Sequence, residues 1–283
     1  MKRKTELVVV SALVLGGCAG RKSGGETPAA KDDLYEANVT VLEAPGRPAM
    51  LCWSVATSLP PQCGDIPTAE WSWEKVDGEE RLNGVTWGSY HVVGRYDGKV
   101  FTVVEAGPPR GDDRPREDTA ITSPCATPDG GWQASDPTRA KQSDVDAVVE
   151  RARSAPDHAG FWLVYLDEPH GEREVAPGRI LLNAAFTGDL ERHRAELEEL
   201  WGGPLCMVEH EHTLEELTRI QSELTAQAKG LRLLSSGTDE VRNRVLVDVV
   251  FADADAQAKM DEKYGKGTVV LSSALRSVER SRA

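Results

Sequence analysis

The apolar residues of this chain change their period part-way along it, and no single layer of secondary structure accommodates both patterns. From residue 35 to about residue 105, β-branched and aromatic residues stand in short runs between turn signals; beyond residue 143, helical stripes alternate with short apolar runs. Between them lies 106–142, opening with Gly107-Pro108-Pro109-Arg110-Gly111-Asp112-Asp113. It is too dense in Pro, Gly, Asp and Ser for a regular element and, at about 35 residues, longer than ordinary intradomain loops. The pattern therefore predicts an α+β chain with two cores: a β-rich domain over 35–105, a linker or surface excursion over 106–142, and an α+β domain over 143–283.

In the first domain, strands are expected at 38–42, at Trp71-Ser72-Trp73, at 85–96 and at 99–104. Asp97-Gly98 between the last two supplies the positive φ angles of a tight hairpin. Four or five short strands in so small a domain suit a barrel, OB-like, or a sandwich. In the second domain, a helix is expected at 143–153 and strands at 161–166 and 179–186. Asp189 caps a helix with the stripe Leu190, Leu197, Leu200 and Trp201, which Gly202-Gly203-Pro204 terminates. After a strand at 205–208, Thr213 and Glu216 have capping-box spacing, and Leu214, Leu217, Ile220 and Leu224 share one helical face. Strands at 231–235 and 244–251, a helix at 254–263 and a strand at 268–272 complete the order. It suits an α+β sandwich of roughly ferredoxin-like kind, with helices on one face of a mixed sheet. There is no sequence repeat of fixed period.

The N-terminus carries a different signal. Lys2, Arg3 and Lys4 precede an apolar run over 7–15 that is too short to cross a bilayer as a stable helix. The run ends in Leu15-Gly16-Gly17-Cys18, which resembles the lipobox of bacterial lipoproteins. The resemblance implies a signal peptide over 1–17, acylation of the Cys18 thiol, cleavage after Gly17 and a lipidated tether over 18–34. A secretory signal cut after Ala19 is the alternative. Two or more acyl chains retain a protein on a membrane where one does not. Ala19 rather than Asp beside the anchor leans, by the same resemblance, toward the outer membrane of a host with two; with one, the chain sits on that membrane's outer face. Trp87-Gly88-Ser89-Tyr90 with Tyr96-Asp97-Gly98, and the segment from Tyr264-Gly265-Lys266-Gly267 to Leu271, are similar to uncharacterised secreted and lipid-anchored proteins of high-GC bacteria, a likeness that implies no activity.

Charge and cysteines agree with export. Loss of residues 1–17 removes three basic and one acidic side chain from a balance of 33 Lys and Arg against 46 Asp and Glu, leaving the mature chain at −15. Such a chain is not built to bind nucleic acid or anionic lipid. Besides Cys18 there are Cys52, Cys63, Cys125 and Cys206, an even number that suits disulfides in an oxidising compartment. Three pairings are open. Cys52 with Cys63, closing a short loop around Pro60-Pro61, is favoured, leaving Cys125 with Cys206.

Sites are harder to find. In Glu209-His210-Glu211-His212 an extended backbone would put His210 and His212 on one face as two weak metal ligands, but no HExxH or CxxC accompanies them, and a solvated strand end explains them better. Ser235-Ser236-Gly237 sits where a turn wants it, and no G-x-S-x-G or S-x-x-K occurs. Trp53, Trp71, Trp73 and Trp87 could form a glycan platform; in a domain poor in Phe they are better used as core. The expectation is a lipid-anchored envelope protein acting as a binding or scaffolding module, with no cofactor and no identified catalytic residue. An enzyme acting on cell-wall or extracellular polymer, and a stress-related structural protein, are the alternatives.

Overall fold

Strand β1 (Tyr35–Glu43) buries Tyr35, Ala37, Val39 and Val41 on one face while Glu36, Asn38 and Thr40 point away. This alternation makes it the seam of the first sheet in a computed structural model that describes residues 33–111, 121–167 and 176–278. Along its whole length β1 pairs antiparallel with the long strand β5 (Val85–Tyr96), from Tyr35 opposite Gly94 to Glu43 opposite Thr86. Its other edge is shared: β2 (Met50–Cys52) pairs at residues 40–42, and β13 (Arg276–Ser277) pairs at Tyr35 and Glu36. β2 is followed by β3 (Ile66–Ala69), which runs parallel to β6 (Phe101–Gly107), and β6 pairs with β5. The pairings thus pass from β1 through β2, β3, β6 and β5 and return to β1, with β4 (Glu80–Leu82) added at the start of β5.

Local chemistry explains the turns. Asp97 accepts the amide N–H groups of Lys99 and Val100, which hold its carboxyl below the usual range, and Gly98 has a φ of 90°. A bulge separates Val93 from Gly94, where a Cβ would stand 2.2 Å from the Thr102 carbonyl oxygen, so only glycine allows β5 to bend onto β6 there. The expected strand at Trp71-Ser72-Trp73 is not one. β3 ends at Ala69, Glu70 turns into the left-handed region, and Ser72 caps a single 3-10 turn over Trp73–Lys75. Both indoles pack against the core of the first sheet, so their alternation reflects a shared face without a strand.

The remaining chain repeats one pattern twice. First come α1 (Gln142–Arg153), β7 (His158–Tyr165), β8 (Ile180–Phe186), α2 (Leu190–Glu198) and β9 (Leu205–Glu209). Then follow α3 (Leu214–Ala226), the short α4 (Ala228–Leu231), β10 (Leu233–Asp239), β11 (Arg244–Val249), α5 (Ala254–Tyr264) and β12 (Val269–Ser273). In each set a helix leads into an antiparallel hairpin, then a second helix, then a strand parallel to the second hairpin strand. The later elements begin at 180 and 244, at 190 and 254, and at 205 and 269, the same interval each time. Both hairpins carry a bulge one residue into their first strand, at His158/Gly160 and at Leu233/Ser235. The described strands therefore form two three-stranded mixed sheets where one was expected. Asp253 caps α5 through the Ala256 amide, whereas Asp189 adopts a φ of 52° and turns its carboxylate to Arg192.

Three large apolar clusters among the described residues do most to hold these layers together. Val148, Leu182, Phe186, Leu197 and Trp201 form one, and Leu217, Ile220, Leu224, Val245, Val247 and Val269 another. The cluster inside the first sheet joins Leu51, Ile66, Tyr90 and Phe101 to Val250 and Leu275 from the far end of the chain. The excursion is pinned to the first repeated unit: Trp162 Nε1–H donates to the Thr122 carbonyl, Cys125 is bonded to Cys206, and Arg139 donates to the last carbonyls of α2 at Glu198 and Glu199. Gly202 exchanges backbone hydrogen bonds with Asp136 and Arg139, and a Cβ on it would lie 2.2 Å from the Asp136 carbonyl oxygen. Closing so long a loop, 81 residues, stabilises the fold by roughly 4 kcal/mol in the chain-entropy account.

Leu275, 1% exposed, fills the first core from the opposite end of the sequence. Leu275→Ala is expected to cost about 2–5 kcal/mol in urea unfolding. A loss below about 0.5 kcal/mol would show that the chain's end does not complete that core.

Candidate functional site

Glu209 ends β9 and Thr213 caps α3, so the Glu-His-Glu-His segment is the hinge between the two repeated units. Its histidines do not converge. His210 stacks on Trp162, with ring centroids 6.1 Å apart and 16° between planes, and its Nε2 bonds the Glu240 carbonyl at 3.1 Å. Burial pushes its pKa down, and hydrogen bonds to backbone groups of Glu240 and Glu209 only partly oppose this. His212 faces the second unit instead. Its Nε2 lies 3.1 Å from Thr268 Oγ1 and its Nδ1 lies 3.3 Å from Glu216 Oε2, while its backbone N–H and C=O are both bonded by the Asn243 side chain. Among the described residues no group of three or more His, Cys, Asp or Glu is placed to hold a metal ion.

Thr268, His212 and Glu216 make a hydroxyl, imidazole and carboxylate chain, the order that activates a nucleophile when the hydroxyl is reachable. Here Thr268 is 4% exposed. The cleft over it holds about 270 Å³ and is lined by Glu211, Arg242, Asn243, Lys266 and Gly267. The chain of bonds ties the first turn of α3 to the loop before β12, where Glu216 reaches back past its cap to the histidine. Sequence spacing exposed the Thr213–Glu216 cap but not Thr268, which lies 56 residues beyond His212.

A second cluster gathers at the start of β7. His193 on α2 is 2% exposed, stacks on Phe186 with centroids 3.7 Å apart, and shares a 2.8 Å hydrogen bond with Asp157. Burial raises the Asp157 carboxyl, but the His193 hydrogen bond, its own amide and the charges of His193 and Arg192 outweigh it, so the net direction is down. Among the described residues no hydroxyl is hydrogen-bonded to His193; the pair pins α2 to the sheet. Next to it His158 is buried with an unpartnered Nε2, and it lines a cleft of about 540 Å³ with Arg153, Leu214, Arg219 and Ser222. The hydroxyls there are occupied: Thr218 donates to the Leu214 carbonyl and Ser222 to that of Thr218. Ser235 donates to Asp248, and Ser236 is bonded by Gln221.

The tryptophans work as packing. Trp71, Trp73 and Tyr90 meet with centroids 5.2, 5.3 and 6.2 Å apart. A guest placed among three rings so close would stand about 3 Å from each centroid, inside the 3.5–4.0 Å contact distance of carbon. Trp73 Nε1–H donates to Glu43, and Trp87 is packed beside Cys52. Cys52 is bonded to Cys63, with Cα atoms 5.9 Å apart. Cys18 lies outside the described residues. No model of a known protein family matches the chain, and no curated protein matches it.

Burial lowers the pKa of both His158 and His210 from the ordinary value near 6.5; the charges of Glu240 and Asp157 on His158, opposed by Arg153, do not reverse this. Below that pH the unfolded chain takes up protons that these folded positions resist. Their contribution to stability is full above about pH 6.5 and is lost as pH falls through that value toward the depressed folded ones. The thermal midpoint is expected to fall between about pH 7.5 and about pH 5, and to fall less in His158→Gln with His210→Gln. A midpoint whose pH dependence the double variant leaves unchanged would refute this account.

Proposed function

We propose that this chain is a cell-envelope lipoprotein, held on a membrane surface through an acylated Cys18, whose folded part is a binding or scaffolding module. The observation that carries the reading is the pairing of Cys52 with Cys63 and of Cys125 with Cys206, which suits an oxidising compartment outside the cytoplasm. Lys2, Arg3 and Lys4, the apolar run over 7–15 and the lipobox-like Leu15-Gly16-Gly17-Cys18 support the anchor. No helix among the described residues is long and apolar enough to cross a membrane, so acyl chains are the attachment that this reading supplies. The acidic balance favours partners other than nucleic acid.

The first sheet is read as a small barrel of OB kind. The ring β1–β2–β3–β6–β5–β1, with one parallel pairing between β3 and β6, supports that reading, and such barrels use the face and loops around their second and third strands for recognition. The hydroxyls beside the clefts at Thr268 and His158 are spent inside the fold, which favours binding over catalysis.

Cys18→Ser is expected to move the protein out of the membrane fraction, or to leave it as an unprocessed precursor, because burial of acyl methylenes is its proposed attachment. Metabolic labelling with a fatty-acid analogue should mark the natural chain and miss the variant. Equal labelling of both would overturn the anchor.

A further inference from the structure

The two repeated units meet along the cleft of about 540 Å³, with the end of α1 and the turn into β7 on one side and the first turns of α3 on the other. Ala155 and Pro156 wall it from the first unit and Leu214 from the second. Two arginines share this apolar surface. Arg153, the last residue of α1, has no hydrogen bond or ion pair among the described residues, and its charge acts on His158. Arg219 on α3 lies 3.9 Å from Glu223, a carboxylate that Lys263 already bonds at 2.5 Å. In a chain with 46 acidic and 33 basic residues the cleft thus reverses the balance, since Glu215 is the one acid among its lining residues. The buried part of the wall is His158, 6% exposed, whose Nε2 has no partner. A buried nitrogen left unpaired carries a desolvation cost that a polar head group would relieve.

The rest of the lining offers little to a polar ligand. Thr218 and Ser222 donate their hydroxyls to carbonyls of their own helix, and the interior amides of α3 are committed to its ladder. A sugar or an extended peptide laid there would give up hydrogen bonds to water without replacing them. A molecule with one anionic head and an apolar body has no such loss, because the head meets cations and the body covers apolar side chains. We propose that the cleft between α1 and α3 binds a small amphiphilic anion, a carboxylate or phosphate carrying an alkyl chain, with Arg153 and Arg219 on its head and Leu214, Ala155 and Pro156 along its tail. The volume lies within the range of small-molecule sites. One arginine comes from each unit, so the ligand ties the second unit to the first across the hinge at 209–212. The proposal rests on the binding-module reading, which it deepens by naming a ligand class, and it does not use the lipid anchor.

The purified full chain in detergent is dialysed against radiolabelled hexanoate or hexyl phosphate, with detergent alone as the blank, and its arginines are then probed with phenylglyoxal and mass spectrometry. At least one of the two anions should bind and should protect Arg153 and Arg219 from modification while leaving the exposed Arg81 reactive. The tighter of the two names the head group, a fatty-acid carboxylate or a lipid-derived phosphate. Hexanol and hexylamine should compete about tenfold more weakly or worse. From butanoate to octanoate, affinity should rise about two- to fourfold for each added methylene. Arg153→Gln and Arg219→Gln should each weaken binding by about fivefold or more and together abolish it. Glu215→Gln should leave binding unchanged or tighten it. All three side chains are exposed, so circular dichroism should show these folds intact. Failure of both anions to bind at millimolar concentration overturns the proposal. So does equal binding of hexanol, an affinity indifferent to chain length, or undiminished binding by the double arginine variant. Any of these would remove this ligand class and leave Cys18 acylation, read by membrane fractionation, untouched, so the two readings fall separately.

Discussion

Strand β1 is hydrogen-bonded along both edges, and the architecture depends on that double use. Nine consecutive residues pair with β5, which gives the first sheet its length and register. The opposite edge admits β2 at one end and β13 at the other, so the beginning and the end of the described chain meet on one strand. Between those two strands only residues 37–39 of β1 lack a strand partner on that edge, too short a stretch to template a long added strand. The seam is charged as well as hydrogen-bonded: Glu36 lies 3.2 Å from the buried His91 and 3.9 Å from Arg276 of β13. Val250 and Leu275 enter the core beneath it, which makes the last strand part of the first layer.

The two repeated units show how one backbone plan is completed differently by its surroundings. In the first, every residue of β8 is buried; in the second, β11 alternates between buried and open. The second face of the first unit's sheet is covered from two sides: Thr122 and Cys125 of the excursion are tied to β7 and β9, and Val241 of the second unit packs on Ala159, Trp162 and Ala185. Arg139 and Asp136 of the same excursion finish α2 by bonding its terminal carbonyls and the Gly202 backbone. What reads as a linker by composition is therefore a structural strap where it is described.

Several polar groups that looked available for chemistry are used to join parts of the fold. His210 and His212 sit two residues apart on the hinge and serve opposite sides, one the Trp162 ring and the Glu240 carbonyl, the other Thr268 and Glu216. Two-residue spacing places side chains on a common face only while the backbone stays extended, and here β9 has already ended at Glu209. The loop between Cys52 and Cys63, by contrast, is exposed and uncharged, closed by its disulfide and carried on the first sheet.

Local signals sufficed where a residue's role is decided by near neighbours. The Asp97-Gly98 hairpin, the Thr213 cap with Glu216 three residues on, the stripe Leu217, Ile220 and Leu224, and the helix ended before Gly202 are all written in spacing and turn chemistry. The short loop between Cys52 and Cys63 was legible for the same reason, since two cysteines that close in sequence are close in any compact chain. The sequence could not disclose that 214–273 repeats the plan of 142–209. Topology constrains which backbone groups pair, while different side chains fill the two units, and Asp189 and Asp253 before the second helices take opposite conformations. Nor could it place Thr268 beside His212, Leu275 inside the first core, or Trp71 and Trp73 in a turn. Those positions are set by contacts between distant segments, and periodicity along one chain carries no record of which faces will meet.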